Sequence, residues 1–325
     1  MTLLHRTGLG KGSAAVCRDP LGPALVRRLP STAVTDPFAA LLDLPGVAGA
    51  VTASREAVDG LLGHRILRRR SAEVTAESAL RGARASAELE GCGIELERLR
   101  GQLMAGGGVQ LASRDVRGSQ LVANAVRLHA DLGSVLPSWS RSPKQALARL
   151  HLLAAADLGL PADALGRPRT SAMAYDDPLE LGPAPDPLEV SARLDGLARL
   201  LLAPTRAPAV VTAAIVHGEL LALRAFGSAD GLVARAAARL VLIDRGLDPK
   251  AVSAPEVGHV ELDHAALGHA HAGPAGGPGY AEAARGYVSG GPAGVAGWLV
   301  HCAQATSLGA REGLAVCEAL LRGAA

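Results

Sequence analysis

Apolar residues recur at every third or fourth position along most of the chain, which is the spacing of helices that bury one face. Cap and stop residues divide this pattern into about ten helices. Ser54 is expected to cap the first one, Ser142-Pro143 opens another, and Gly106-Gly107-Gly108 ends a third. The predicted helices begin near residues 54, 75, 94, 115, 142, 188, 207, 231, 280, 292 and 309. The pattern predicts an all-α fold.

Three segments lack this period. Residues 1–50 are rich in Pro and Gly, and we expect an irregular arm there with one short strand at 24–28. Residues 158–187 contain six prolines, which exclude a long helix and favour a loop with a short hairpin. Residues 266–279 form a low-complexity stretch of Gly, Ala, His and Pro, which is typical of a loop.

Composition and charge narrow the classes of function. Hydrophobic residues make up 49% of the chain but aromatics only 2%, so Leu, Val and Ala must form a core of closely packed helices. The net charge is +2, and the densest basic cluster, residues 68–70, has no aromatic residues interleaved with it. A nucleic-acid groove normally combines a basic stripe with stacking residues, so we expect no nucleic-acid partner.

The cysteines and the hydropathy indicate a cytoplasmic protein. Four cysteines lie far apart with no CxxC pair, as expected for reduced thiols. The first 19 residues carry no apolar region of the secretory type. The most apolar run, 207–222, contains His217 and Glu219 and is shorter than a membrane span, so no membrane association is expected.

The segment 217–235 carries the most specific chemistry. It places a glycine-containing turn, 227–231, between two predicted helices. The first amides of a helix have no partner within it and lie at the positive end of its dipole, so such a turn suits an anion. Arg235 follows about one turn into the second helix, where it can meet a phosphate or a carboxylate. Any capped helix–turn–helix shows the same pattern, and that simpler interpretation stays open.

This segment resembles the signature of the Fic (Fido) family, H-P-F-x-[D/E]-G-N-G-R-x-x-R, without a gap. The identities are Phe226, Gly231 and Arg235. At the other positions Arg224 stands for the signature His, Ala225 for Pro, Ser228 for the acid, Ala229 and Asp230 for Gly-Asn, and Leu232 for the first Arg.

Flanking segments extend the resemblance over about residues 75–305. Gly166-Arg167-Pro168-Arg169-Thr170 is similar to the family's target-docking flap, and Ser86 to Gly91 matches its inhibitory helix motif, [S/T]-x-x-x-E-[G/N]. Tyr280 to Trp298 resembles its C-terminal pattern. The resemblance implies an N-terminal arm and helix at 1–74, an inhibitory-type helix region at 75–110, and a Fic-like helical core with the flap hairpin at 111–325.

Fic enzymes typically transfer AMP from ATP to a target hydroxyl, with the signature His as base and the acid holding Mg²⁺. Arg224 cannot act as a base, because a guanidinium stays protonated. Ser228 is a neutral, poor ligand for Mg²⁺. Loss of the base alone costs about 10²–10⁴ in rate. We therefore expect no catalytic residue, no metal-holding residue and no ordinary AMP transfer.

The resemblance then implies a degenerate Fic-like protein that acts by binding a nucleotide without tightly held magnesium, another phosphate-bearing ligand, or a protein. The ligand set would be Arg224, Ser228, Ala229, Asp230, Gly231 and Arg235. The inhibitory set would be Ser86 and Glu90, and the flap set for a protein partner would be Gly166, Arg167, Arg169 and Thr170. Two alternatives stay open: an active nucleotidyl- or phosphotransferase with altered chemistry, and a structural or interaction protein without a ligand. A homodimer is also compatible with the sequence.

Two contacts test the alignment. Glu90 is expected to form an ion pair with Arg235, and Phe226 is expected to be buried beneath the turn.

The histidines are a separate question. His217, on an apolar helix, is expected to be a core residue. His259, His264, His269 and His271 match no common zinc spacing, so we expect them in a solvated loop.

Overall fold

A computed structural model describes residues 36, 38–170, 175–268 and 277–323. Within these residues every regular element is helical, which confirms the all-α fold. The twelve α-helices of the described residues are α1 (Val47–Leu62), α2 (Ser71–Glu88), α3 (Leu96–Ala105), α4 (Val116–Ala130), α5 (Leu132–Trp139), α6 (Pro143–Ala155), α7 (Pro187–Leu202), α8 (Ala209–Leu223), α9 (Asp230–Asp244), α10 (Pro255–Ala266), α11 (Tyr280–Ser289) and α12 (Gly291–Arg322). Short 3₁₀ helices cover Ala39–Asp43 and Arg65–Arg68. None of the described helices is long and apolar enough to cross a membrane.

Some expectations fall on residues that are not described. The predicted strand at 24–28, the tip of the flap at 171–174 and the histidines His269 and His271 lie outside the described residues. The described flanks of the flap, 166–170 and 175–185, are not strands.

Cap chemistry explains the helix ends that were predicted correctly. Helix α6 begins with Pro143 after Ser142, because proline lacks the N–H that the first turn would leave unpaired. Helix α3 ends at Gly106, which adopts φ +68°, a conformation that glycine reaches without a steric penalty.

Several predicted boundaries differ from the structure, and two of the differences are large. The first helix begins at Val47, and Ser54 lies buried inside it, where its hydroxyl donates to the Val51 carbonyl instead of capping the helix. The two helices expected at 292–305 and 309–322 are one helix, α12. Gly309 does not break it; a side chain there would overlap the backbone of Ala254, so the glycine allows two segments to pack closely.

Helix α10 was not predicted, and it corrects the expectation of a solvated histidine loop. His259 lies on α10 and is buried, with its Nδ1 3.0 Å from Nε2 of His301. His264 also lies on α10, but on its more exposed side. The many polar residues of this segment hid its helical period, because some of them face partners inside the protein.

Helices α8 and α9 form the centre of the fold. Twelve of the fifteen residues of each are buried, as expected for helices enclosed on all sides. Helix α12 packs along α1, α8, α10 and α11, and α2 packs on α4 and α10. The turn that joins α8 to α9 therefore lies inside the molecule, and its polar residues must find partners there.

The close packing of α10 on α12 gives a first testable expectation. A Cβ at Gly258 would overlap the carbonyl of Ala305, which is backbone and cannot move aside. Gly258→Ala should therefore lower the free energy of unfolding by about 1–3 kcal/mol. The matched control is Gly196→Ala on α7, where a Cβ meets no atom within 4 Å. That change should stabilise the protein by about 0.5–1 kcal/mol through helix propensity. Urea unfolding of both variants measures this, and equal effects would contradict the packing argument.

Candidate functional site: the turn between helices α8 and α9

The turn that joins α8 to α9 has an unusual backbone conformation. Arg224 ends α8 with φ 40° and ψ 54°, and Ala229 precedes α9 with φ 52°. Residues other than glycine adopt this left-handed conformation rarely, so the surrounding contacts must hold it. One such contact is internal: the N–H of Phe226 donates to Oδ1 of Asp230 at 2.9 Å. The turn is a constrained loop rather than a loose connection.

The flap segment lies directly against this turn. The N–H of Arg169 donates to the carbonyl of Ala225 at 2.8 Å, and the N–H of Asp176 donates to the carbonyl of Gly227 at 2.9 Å. Nε of Arg169 also donates to the carbonyl of Arg224 at 3.1 Å. The predicted flap residues therefore separate into two groups: Arg169 is buried against the turn, whereas Arg167 and Thr170 are exposed.

The expected ion pair between Glu90 and Arg235 forms. Nη2 of Arg235 lies 2.6 Å from Oε1 of Glu90, and the two side chains are only 1% and 8% exposed. Arg235 also donates from Nε to the Ser86 hydroxyl at 2.7 Å, from Nη2 to the Ser86 carbonyl at 2.9 Å and from Nη1 to the Tyr280 hydroxyl at 3.1 Å. Each nitrogen of the guanidinium has a partner in the protein, and Glu90 neutralises its charge, so Arg235 can pair with a ligand anion only if Glu90 leaves.

Glu90 also fills the space over the start of α9. Its carboxylate lies so close to Gly231 that a Cβ at this position would overlap it. The cavity lined by Glu90, Asp177, Arg224 and the start of α9 has a volume of about 20 Å³, enough for one water molecule. The site is closed in this conformation, and a nucleotide does not fit.

Arg224, at the position of the signature His, is buried and only partly paired. Its Nη1 lies 3.0 Å from Oδ2 of Asp177 and donates to the Gly182 carbonyl at 2.6 Å. Its guanidinium lies 5.0 Å from the centre of the Tyr175 ring. Nε and Nη2 have no hydrogen-bond partner among the described residues. The sequence indicated Arg224 as a ligand-binding residue but gave no sign of Asp177 or Tyr175, because a proline-rich loop supplies both.

Asp230 also lines this cavity, and Ser228 lies in the same turn. Burial, reinforced by the negative charge of Glu90, raises the pKa of Asp230 to about 7, although the N–H groups of Phe226 and Gly227 act in the opposite direction. Oδ2 of Asp230 and the hydroxyl of Ser228 are buried without a partner among the described residues. At neutral pH the site therefore holds a carboxyl that is only partly ionised.

Of two side chains near the turn, Phe226 differs in part from expectation and His217 does not. Phe226 is only half-buried rather than fully buried, and its ring stacks on His151 with the centres 4.3 Å apart. His217 is a core residue as expected, with Nε2 2.8 Å from the hydroxyl of Tyr280. Burial lowers the pKa of His217 well below its ordinary value, and it lowers that of His151 to about 4. Both rings are neutral at physiological pH.

Chemically, the turn combines a buried cation with a helix start, and both favour an anion. Arg224 stays protonated, so it donates hydrogen bonds and accepts no proton. Ser228 offers a neutral hydroxyl where a metal would need a carboxylate. The start of α9 adds the positive end of its dipole.

Comparison with known proteins supports the fold. No family model matches the chain, and no curated protein matches it in sequence. Among solved structures, it is similar to a Fic family protein from Desulfovibrio desulfuricans G20, with a TM-score of 0.61 and 19% sequence identity. The match covers 82% of this chain and 74% of that chain. At this identity the likeness is one of fold: the chain has a Fic-like helical fold.

Proposed function

We propose that this chain is a Fic-like protein that binds a phosphate-bearing ligand at the 227–235 turn and does not transfer AMP. The observation that carries the proposal is the guanidinium of Arg224, which is 3% exposed and has two nitrogen atoms without a partner among the described residues. Buried donors are nearly always paired, so a buried cation with free donors beside a helix start favours an anion as the missing partner.

A second contribution comes from two other polar side chains of the turn. The Ser228 hydroxyl is an additional unpaired donor, and Asp230 loses its negative charge when it is protonated near pH 7. Phosphate oxygens accept several hydrogen bonds at once, and planar guanidinium groups suit them well. A nucleotide diphosphate or triphosphate is the ligand class that we favour, because the chain shares its fold with a Fic family protein.

Absence of AMP transfer follows from the residue types in the site. A general base must accept a proton from the attacking hydroxyl, and Arg224 cannot do so. The buried histidines do not replace it: His217 is held by Tyr280 and is 1% exposed. Binding is therefore the activity that the remaining groups support.

The closed cavity makes this binding conditional on the position of Glu90. Its carboxylate neutralises Arg235 and covers Gly231, so a ligand must displace it. We propose that Glu90 and Ser86 act as a gate at the end of α2, in line with the inhibitory motif that the sequence resembles.

Titration calorimetry of Glu90→Gly tests the proposed function. We expect the variant to bind ATP, ADP, GTP or a cytidine diphosphate derivative at least about tenfold more tightly than wild type, equivalent to 1.4 kcal/mol, because a ligand no longer competes with a carboxylate. Binding should not require magnesium.

The matched control is Glu88→Gly, which changes the same end of α2 but removes a carboxylate that pairs with Arg84 instead. It should bind as weakly as wild type. Adding Arg224→Met to Glu90→Gly should abolish the gain. No heat with any of these ligands in either protein, with or without magnesium, would exclude nucleotide binding.

One observation favours a second function, an interaction protein without a ligand. Ser228, Ala229 and Asp230 are all buried, and the cavity beside them holds no more than a water molecule. In that case the exposed flap residues Arg167 and Thr170 would offer the contact surface for a protein. The same titration separates the two functions, because a purely structural turn should gain no affinity when Glu90 is removed.

A further inference from the structure

Three helices bring a group of metal-ligand side chains together behind the turn. His217 on α8, His259 on α10 and Cys302 on α12 are all buried, and one ligand atom of each lies within 4.8 Å of the others. None of the three has a role in the proposed anion site. Imidazole nitrogen and thiolate sulfur are the donors that zinc and related transition metals prefer.

Hydrogen bonds set the protonation state of one histidine. Nδ1 of His301 lies 3.3 Å from the Pro278 carbonyl, which can only accept, so this nitrogen carries the proton. The tautomer that carries its proton on Nδ1 has an acceptor at Nε2. Nδ1 of His259, 3.0 Å from that Nε2, must therefore donate. In this tautomer Nε2 of His259 is left with a free lone pair.

Both histidines have an outer partner of the kind that metal-binding histidines use. His259 is oriented by His301, and Nε2 of His217 lies 2.8 Å from the Tyr280 hydroxyl. A ligating imidazole usually holds its second nitrogen in such a hydrogen bond, which fixes the ring towards the metal.

A fourth donor lies in the same cavity. His217, His259, Cys302 and Glu256 line a cavity of about 20 Å³, large enough for one water molecule or one metal ion. Glu256 is 1% exposed; its Oε2 lies 3.2 Å from Arg239, and its Oε1 is buried with no partner among the described residues. A buried carboxylate oxygen without a partner, on the wall of a cavity that two imidazoles and a thiol also line, is the independent sign that something else is bound here.

The charges around the cavity permit a cation. Arg235 and Arg239 also line it, but each already faces a carboxylate, at 2.6 Å and 3.2 Å respectively. A doubly charged ion would be balanced in part by the thiolate of Cys302.

We propose that His217, His259, Cys302 and Glu256 bind one late first-row transition metal ion of the zinc class, and that this ion ties α8, α10 and α12 together. Metal–nitrogen bonds of about 2.0–2.1 Å and a metal–sulfur bond of about 2.3 Å place tetrahedral donor atoms about 3.3–3.6 Å apart, so the ligand atoms of His217, His259 and Cys302 must move towards one another by up to about 1.5 Å. The carboxylate of Glu256 lies outside that group of three and must turn its unpaired Oε1 towards the ion. On binding, the thiol proton leaves to solvent and a metal–sulfur bond forms, with no change in oxidation state. The site is structural and does not depend on the proposed anion site.

Metal analysis and cobalt substitution test the site directly. The full chain, produced with zinc in the medium and purified without chelators, should contain about one zinc ion per chain. After the zinc is removed, addition of Co²⁺ should give a thiolate-to-cobalt absorption band and the visible bands of a tetrahedral ion. Removing the metal should lower the thermal midpoint, and zinc should restore it.

Cys302→Ala and His259→Gln should each lower the metal content at least about tenfold. Cys317→Ala is the matched control, because Cys317 is a buried cysteine on the same helix that packs in a separate apolar cluster. It should keep the metal and the cobalt spectrum. A wild-type protein without zinc and without a thiolate–cobalt band would overturn the proposal and leave water as the occupant. Metal that persists in Cys302→Ala would overturn it as well, because the ion would then lie elsewhere.

Discussion

Replacing Arg235 by alanine should lower the free energy of unfolding by about 3–5 kcal/mol, because it leaves a buried carboxylate without its partner. The side chain of Glu90 is 8% exposed, and its Oε1 lies 2.6 Å from Nη2 of Arg235. The same guanidinium satisfies the hydroxyl and the carbonyl of Ser86 and the hydroxyl of Tyr280. Its loss therefore removes the partner of several buried polar groups at once. Urea unfolding at neutral pH measures the change.

The two partners of this ion pair should differ in their effect. When Glu90 is replaced by alanine, Arg235 keeps three acceptors on Ser86 and Tyr280, so the loss should be smaller than that of Arg235→Ala. Arg55→Ala is the exposed control, since Arg55 and Asp59 are 76% and 61% exposed and the pair should contribute under about 1 kcal/mol. An Arg235→Ala variant no less stable than Arg55→Ala would contradict the buried clamp.

The Glu90–Arg235 pair also shows what the sequence alone can predict. The two residues are 145 positions apart, and no local pattern relates them. They were expected to meet only because two separate segments resemble two motifs of one family. Helix positions required less information: the caps at Pro143 and Gly106 act within a few residues, so their effect is readable along the chain.

What the sequence did not predict depends on contacts between distant segments. Helix α10 is rich in polar residues, and its period is hidden because Glu256 faces Arg239 inside the protein. Separate helices were predicted at 292–305 and 309–322, whereas α12 runs through both, and Gly309 allows it to pack on the backbone of Ala254. A sequence shows that a glycine or an acid is present, but not whether a backbone or an arginine lies opposite it.

The closure of the candidate site also depends on contacts between distant segments. The motif predicted six residues at the turn, and four of them line one small cavity: Arg224, Ala229, Asp230 and Gly231. Ser228 and Arg235 do not line it. It did not predict that Asp177, from the proline-rich loop, would pair with Arg224. Nor did it predict that Asp230 would be buried deeply enough to hold a proton near neutral pH. The pairing of Asp177 with Arg224 and the burial of Asp230 both depend on how the flap segment lies against the turn.

That proton on Asp230 makes stability depend on pH. Burial raises the pKa of Asp230 from 3.8 to about 7 in the folded protein. Between these values the folded state binds a proton that the unfolded state has released, so the contribution of Asp230 to stability falls as pH rises through this window. Above pH 7 the buried carboxylate is ionised, and its full cost is present. Protonation also removes a negative charge from the start of α9, where the proposed ligand binds.

Asp230→Asn should abolish this dependence and leave the turn intact, because an amide oxygen can still accept the hydrogen bond from Phe226 N–H. The stability of the variant relative to wild type should increase from pH 5 to pH 8, with a slope of at most about 1.4 kcal/mol per pH unit while the carboxyl titrates. Urea unfolding of both proteins at pH 5, 6, 7 and 8 measures this difference. Asp163→Asn, an exposed aspartate on a loop, is the control and should run parallel to wild type. A difference between Asp230→Asn and wild type that stays constant over this range would show that Asp230 is ionised throughout, and that the field at the start of α9 is more positive than its burial indicates.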